Sequence, residues 1–546
     1  MLRKLLLPAL LALAAAPAGA QGKVKTKPGV MPTLGAPPAN LVDWSLRYAD
    51  LVTADRLRTH LSVLASDEYE GRETGQKGQH LAAAYVAAQF QAAGLAGPGP
   101  DAAAPYLQKF QLESVAWAPG ATLQVGGVRY QWPNDFYGRG SAGFDQETAV
   151  QPVFVGFGIE QAGYSDYEGL AVAGKDVLIL QGEPTTASGK PLLSPDGSAT
   201  RWGRDERAKL AAALQKGVRS IFFVDFRPNG NFEKTASRLA PALARPSLAL
   251  AGAGPQRPPV FYLAPAVGYQ LLNTTAAAAA KYLAQTAAKG QPLAAPFRAG
   301  ALKIRAPKTR TPTGTENALG FVEGTDKKDE IVVVSAHHDH LGVIDGQVFN
   351  GADDDGSGTS AIINLAEAFA QAKKDGHGPR RSLLFLSVTG EEEGLFGSEY
   401  YAAHPAFPLA STVADLNVDM IGRTDPAHEG RPDYVYVIGS DKLATQLKVV
   451  VEAENQQYTR LGLDYKYDDP ADPNRFYYRS DHYNFAVRGV PVAFFFNGVH
   501  ADYHQATDEI DKIQFDKMEA RARLVFHTAW ELANRDVRPA VDSNKP

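Results

Sequence analysis

The sequence predicts an α/β fold: a mixed, mostly parallel central sheet flanked by helices, with an inserted β-rich α+β segment. Three observations carry that expectation. Beyond Glu316, continuous apolar runs alternate with helical patterns, at Ile331–Ser335, Ser382–Val388, Thr412–Val418, Tyr434–Ile438 and Val490–Phe496. Such runs fit strands buried on both faces of a parallel sheet. Between about Thr122 and Thr311 the texture changes to shorter β-rich runs parted by Gly and Pro. At 546 residues the chain also exceeds what one hydrophobic core organises, so at least two domains are expected.

Taken from the start, Met1–Ala20 has Arg3 and Lys4, an apolar run from Leu5 to Ala16, and then Ala18-Gly19-Ala20. This fits a signal peptide cut before Gln21, with an apolar core too short for a stable anchor. Residues 21–45, rich in Pro, Lys and Gly, read as a flexible lead-in, with order beginning near Leu46. Residues 46–121 form the first part of the main domain. Leu57, Leu61 and Leu64 mark one helix there, and Leu81, Tyr85, Ala88 and Phe90 a second. The polar, Gly-rich loop between them, Glu68 to Gly78, has the composition of a surface turn, although a loop beside an active site is written in the same residues.

In the insert, residues 122–311, strands are expected at Val153–Phe157, Lys175–Leu180, Ser220–Phe226 and Pro259–Leu263. Helices are expected from Arg204 to Lys216, with Leu210, Ala213 and Leu214 apolar, and from Ala276 to Ala288. Residues 312–536 carry the longer strands. A helix follows the Asp353–Asp355 cluster, capped by Asp355 or Ser357, with Ala361, Ile362, Leu365, Ala366 and Phe369 on one face. A last helix from Gln514 to Asn534 presents Phe515, Met518, Ala522 and Phe526, and residues 537–546 form a tail.

Composition narrows the chemistry. There is no cysteine, so any metal must be held by His, Asp and Glu. Removing Arg3 and Lys4 from 55 basic residues leaves 53 against 60 acidic ones, a mature net charge of −7, which argues against a nucleic-acid partner. No later apolar stretch is long enough for a membrane helix, so a mature protein without a membrane anchor, periplasmic or extracellular, is expected.

Six of the 12 histidines, His337, His338, His340, His482, His500 and His504, fall in three short segments. Each lies beside carboxylates at a predicted strand end or loop. Three adjacent aspartates, Asp353 to Asp355, repel one another unless a cation offsets the charge. A two-metal site needs a nitrogen ligand and a carboxylate for each ion and a carboxylate between them. His337 with Asp419, and Glu392 with His504, about a bridging Asp354, would supply that set. Imidazole with carboxylate suits zinc, and manganese or cobalt would accept the same donors.

The ordered segments AHHDHLG, GADDDGSG, GEEEGLFGSE, NVDM, SDH and YHQATDEID resemble the co-catalytic zinc metallopeptidase family that contains bacterial leucyl aminopeptidase, aminopeptidase Y and, more distantly, glutamate carboxypeptidase. The likeness runs from about Thr315 to the last helix, with Thr53–Gln111 resembling the family's lead-in. The insert, through VFVGFGI, GKDVLIL and SIFFVD, resembles a protease-associated domain. The family resemblance implies a zinc-exopeptidase, phosphorylase/hydrolase-like fold and two divalent ions, zinc by preference. It implies His337, Asp354, Glu392, Asp419 and His504 as ligands, with Asp354 bridging and a cis peptide from Asp354 to Asp355. Asp339 orients His337, and Glu391 is the general base. Tyr477 corresponds to an oxyanion-stabilising tyrosine, with Tyr478, Arg479 and Tyr503 as competitors. His500 rivals His504, Asp481 and His482 brace the site, His338 and His340 line or support it, and Glu393 has no role.

The implied activity is removal of N-terminal residues from peptides. Alternatives are a carboxypeptidase or dipeptidase, in which Arg423 or Arg479 binds a substrate carboxylate, a glutaminyl cyclase with one zinc, and a non-enzymatic binding scaffold. Oligomeric state is not readable from the sequence.

Overall fold

The computed structural model describes residues 42–545 apart from 187, 195, 205, 228–229, 253–256 and 294–295. The expected signal peptide, and the lead-in up to residue 41, lie outside the described residues. Helix α1, Trp44–Ala49, comes first among the described residues, followed by α2, Ala54–Leu64, and α3, Lys77–Ala93. Thr53 caps α2 by accepting the Arg56 N–H, and Gly94 at φ 88° ends α3 in the left-handed conformation that favours glycine.

A nine-stranded sheet organises the main body. Its strands are β1 (Leu107–Trp117), β2 (Ser247–Leu250), β3 (Lys308–Val322), β4 (Lys327–His337), β5 (Arg381–Val388), β6 (Thr412–Val418), β7 (Tyr434–Ile438), β8 (Gly462–Asp464) and β9 (Val492–Phe496). The spatial order is β2-β1-β3-β5-β4-β6-β9-β7-β8. The four central strands, β5, β4, β6 and β9, are parallel, and β2, β1 and β3 extend the sheet antiparallel on one side. On the other side β7 pairs antiparallel with β9 and parallel with β8. β5, β6 and β9 are buried along their whole lengths and β4 from Ile331 onward, as their apolar runs require.

Helices cover both faces. On one, α4 (Gly358–Lys374) and α5 (Phe515–Asn534) pack with α2 and α3 around Val332, Val334, Phe385, Leu416 and Phe495. The opposite face buries Val333, Leu384, Leu386 and Val388 against Tyr401 and Phe485. Fully burying one such aliphatic side chain contributes about 1.5–3 kcal/mol, so these two layers fix where the strand ends point.

A second hydrophobic core, from Leu123 to Ala306, lies in the segment between β1 and β3. The four strands expected there all fall in one five-stranded sheet, at Val153–Phe154, Asp176–Leu180, Ser220–Val224 and Val260–Leu263, joined by Phe136–Arg139. A four-stranded sheet accompanies it. Two details depart from the sequence reading. The helix expected from Arg204 spans Arg207–Gln215 and buries Lys209, Ala212 and Ala213, while Leu214 is 43 % exposed. Lys209 Nζ donates to the Leu180 carbonyl at 2.7 Å and to that of Gly182, which is why a cation occupies the inner face. The segment also returns β2 to the main sheet, where Leu250 pairs with Leu112.

Candidate metal centre

The predicted site residues sit at the carboxyl ends of the central strands, where open α/β sheets form their clefts. His337 is the last residue of β4, Glu391 and Glu392 follow β5, and Asp419 follows β6. Asp354 lies in the turn before α4, and its peptide to Asp355 is cis. Gly351, at φ 53°, admits the turn, since a side chain there would collide with the Asp354 carbonyl and the His340 ring. Asp508 secures it further, its Oδ2 accepting the backbone N–H groups of Asp353 and Asp354 at 3.0 and 3.1 Å.

The five expected ligands converge. His337 Nε2 stands 3.4 Å from Asp354 Oδ1 and 3.6 Å from Asp419 Oδ1. His504 Nε2 stands 3.2 Å from Asp354 Oδ2 and 3.0 Å from Glu392 Oε2. Asp354 thus offers one oxygen to each imidazole. His337 Nε2, His504 Nε2 and Asp354 Oδ2 are buried and have no hydrogen-bond partner among the described residues. Orphaned atoms of this kind are costly unless something satisfies them. Two donors bound tetrahedrally at about 2.0–2.2 Å to one zinc lie about 3.4 Å apart, so these separations suit a shared cation. The donor set therefore fits a pair of divalent ions. In two further sets, His337 with Asp355 and Asp419, and His340 with Asp354 and Glu392, the donor atoms lie within 4.8 Å of one another. Asp355, however, is already engaged by the backbone N–H groups of His337, Gly358 and Met420.

Electrostatics follow the same pattern. Burial alone would depress the His504 imidazolium, but Asp354 and Glu392 outweigh it and raise its pKa to about 10. Burial, reinforced by Glu392 and Asp419, raises Glu391 well above the ordinary carboxyl range, against the pull of His337. Such shifts follow from acids and bases crowded together in a buried site.

The supporting residues are distinct. Asp339 faces His337, its Oδ1 3.6 Å from Nδ1, and the same oxygen accepts the Glu391 N–H at 3.2 Å. His340 Nδ1 contacts Glu392 Oε1 at 2.7 Å, which leaves Oε2 for His504. His338 lies between Ser387 and Gln79, and burial lowers its pKa to about 3. His500 contacts Asp353 Oδ2 at 3.1 Å and so braces the turn. Asp481 accepts from Ser398, and His482 stacks on Phe494. Ser480 Oγ donates to Asp419 Oδ2 at 2.6 Å, directing Oδ1 toward His337.

In two places the sequence left alternatives that the structure separates. The loop from Glu68 to Gly78 is not a surface turn where it matters: Arg72 and Thr74 are 1 % and 2 % exposed. Arg72 donates to the carbonyls of Leu64, His338, Asn350 and Gly351, tying both halves of the site motif to the lead-in. Thr74 Oγ1 donates to Asp339 Oδ2. Of the candidate tyrosines, Tyr503 lines the recess beside Asp354, Glu391 and Asp419. Tyr477 is not among its lining residues; it packs against Lys442, Tyr478, Tyr483 and His482. The remaining walls are Met420, Phe476, Phe494, Phe496 and Arg479.

Fold and side chains together define an α/β protein with a His- and carboxylate-lined centre of metal-binding composition at its parallel strand ends. Residues 317–529 match the family model described as Peptidase family M28. Among curated relatives, a probable leucine aminopeptidase of Arthroderma otae is 33 % identical over 217 residues, 38 % of this chain and 55 % of the relative. Aminopeptidase YwaD of Bacillus subtilis is 26 % identical over 247 residues, 44 % of this chain and 48 % of the relative. The chain spans about half the length, or less, of the curated relatives it matches. An aminopeptidase structure from Aneurinibacillus sp. strain AM-1 covers 92 % of this chain and 100 % of its own, with a TM-score of 0.52 at 17 % identity, which is a likeness of fold.

Proposed function

We propose that the protein is an exported zinc-dependent exopeptidase with a dinuclear site, and that it removes N-terminal residues from peptides. The observation that carries this reading is the pair of orphaned imidazole nitrogens, His337 Nε2 and His504 Nε2, on opposite oxygens of Asp354. The M28 match and the names of the relatives, leucine aminopeptidase and zinc metalloprotease among them, support the same class. Export rests on the basic, apolar and small-residue pattern of Met1–Ala20. No helix of the described residues is long and apolar enough to cross a membrane.

His337 and Asp419 would hold one ion, Glu392 and His504 the other, with Asp354 between them. Bound there, two divalent ions would polarise a scissile carbonyl and make water a stronger acid. Glu391, in the recess and held at its N–H by Asp339, takes a proton from the attacking water and returns it to the leaving amine. The Tyr503 hydroxyl, in the same recess, donates to the oxygen on which negative charge develops. Met420, Phe494 and Phe496 give the cleft an apolar wall for the substrate side chain and keep bulk water from it. The intervening segment, with its protease-associated likeness, restricts which peptides reach the cleft.

The test is a panel of free, N-acetylated and C-amidated peptides assayed with zinc and after chelation. Cleavage of free and amidated but not acetylated peptides, lost on chelation and restored by zinc, is expected. Efficient cleavage of the acetylated set would remove the aminopeptidase assignment.

A further inference from the structure

Two arginines flank the site in sequence, and the structure separates their roles. Arg423 is held away from the recess: its side chain is 15 % exposed, Nη2 donates to Asp502 at 3.0 Å, and its buried Nη1, 4.0 Å from Asp508, is not among the groups that line the recess. Arg479 lines the recess itself, with Asp354, Glu391 and Asp419. Its guanidinium lies over the Phe476 ring, 4.9 Å from the centroid, and Nη2 donates to the Tyr503 hydroxyl at 3.1 Å. Among the described residues no carboxylate lies within ion-pair distance of it.

A guanidinium stays charged at every relevant pH and carries five N–H donors, of which one is used here. The Phe476 stack and the Tyr503 bond hold its plane, so little side-chain freedom remains to be lost on binding an anion. Its charge also gives the recess a polarity. A substrate ammonium is repelled from the Arg479 side and drawn to the acids, while a substrate carboxylate is drawn to Arg479. In a dipeptide the terminal carboxylate carbon lies only about 4 Å from the scissile carbonyl carbon, within reach of a group lining the same recess.

We propose that Arg479 binds a substrate carboxylate placed one residue beyond the scissile bond, and that the preferred substrates are dipeptides with a free C-terminus. This rests on the peptidase reading above. The apolar wall of Met420, Phe494 and Phe496 would take the first side chain of such a substrate.

The test uses the zinc-loaded full chain with leucyl-alanine and leucyl-alaninamide, which differ only in the terminal charge. The expected result is a kcat/KM for the acid about tenfold or more above that for the amide. Arg479→Gln should bring that ratio to about 1, mainly through KM, and Arg479→Lys should restore part of it. A wild-type ratio of 1 or below, or equal losses on both substrates in Arg479→Gln, would overturn the proposal. If the wild type cleaves neither compound, the peptidase reading fails, and calorimetric binding decides this one. Tighter binding of the acid that is lost in Arg479→Gln upholds it, and equal binding of acid and amide refutes it.

Discussion

Thr74 Oγ1 lies 2.8 Å from Asp339 Oδ2, joining the lead-in loop to the carboxylate that faces His337. Both side chains are buried, so no water replaces the hydroxyl if it is removed. Thr74→Val keeps the shape and deletes the donor. Because partners behind a metal ligand commonly control affinity by 10–100-fold, zinc affinity in a chelator competition should fall by about tenfold, and Thr74→Ser should restore it. Equal affinities in wild type and Thr74→Val would separate this loop from the metal centre.

Glu391→Gln preserves size and hydrogen bonding but cannot accept a proton. Metal content should stay at the wild-type level while kcat falls by about 10²–10⁴-fold. Near-full turnover in this variant would remove Glu391 from the base role.

Asp354→Ala takes the carboxylate that, alone among the described residues, contacts both His337 and His504 through separate oxygens. Each ion would lose a ligand and the screening between the two. The variant should purify with fewer than two equivalents of zinc and lose the remainder to a weak chelator; two tightly held ions would refute the bridge.

Asp415 is fully buried on β6, with Oδ1 accepting from Ser335 at 2.8 Å and Oδ2 unpartnered among the described residues. Burial, with a contribution from Asp481 and against the Ser335 bond, raises its pKa from 3.8 to about 8. The folded protein therefore keeps the proton across a range where the unfolded chain has released it. That contribution to stability is complete below the unfolded pKa and is lost as pH rises through about 8. Asp415→Asn, neutral throughout, should gain in melting temperature relative to wild type between about pH 5 and about pH 8.5. A difference independent of pH would show that Asp415 does not titrate in this way.

The sheet and part of the site were legible for one physical reason. Buried parallel strands must be continuously apolar, and side chains that do chemistry leave the sheet where those runs end, so His337, Glu391, Glu392 and Asp419 stood out just past the runs, whereas Asp354 and His504 lie in loops and were singled out by the likeness of their motifs to the zinc metallopeptidases. Arg72 and Thr74 were hidden because a loop that satisfies its polar groups internally uses the same residues as one that satisfies them in water. In the helix Arg207–Gln215 Ala213 and Leu210 meet the core as expected and only Leu214 departs; a lysine whose ammonium finds two carbonyls, Lys209, can be buried instead, and sequence does not show where those carbonyls are. Tyr477 and Tyr503 were inseparable for a related reason. They lie in short irregular turns, where no periodicity says which ring faces the recess. Strand β2 escaped notice since an edge strand, only partly buried, needs no apolar run.

The long pairing of β1 with β3, from Leu107 opposite Ala318 to Trp117 opposite Lys308, encloses the whole intervening segment. During synthesis the chain emerges from its N-terminal end, and strand partners so far apart cannot meet until everything between them exists. The core between Leu123 and Ala306 is therefore complete, and free to fold, while β1, with only β2 beside it, still waits for β3. His504 emerges after both, so the cluster of imidazoles and carboxylates gains its final member only when most of the chain has been made.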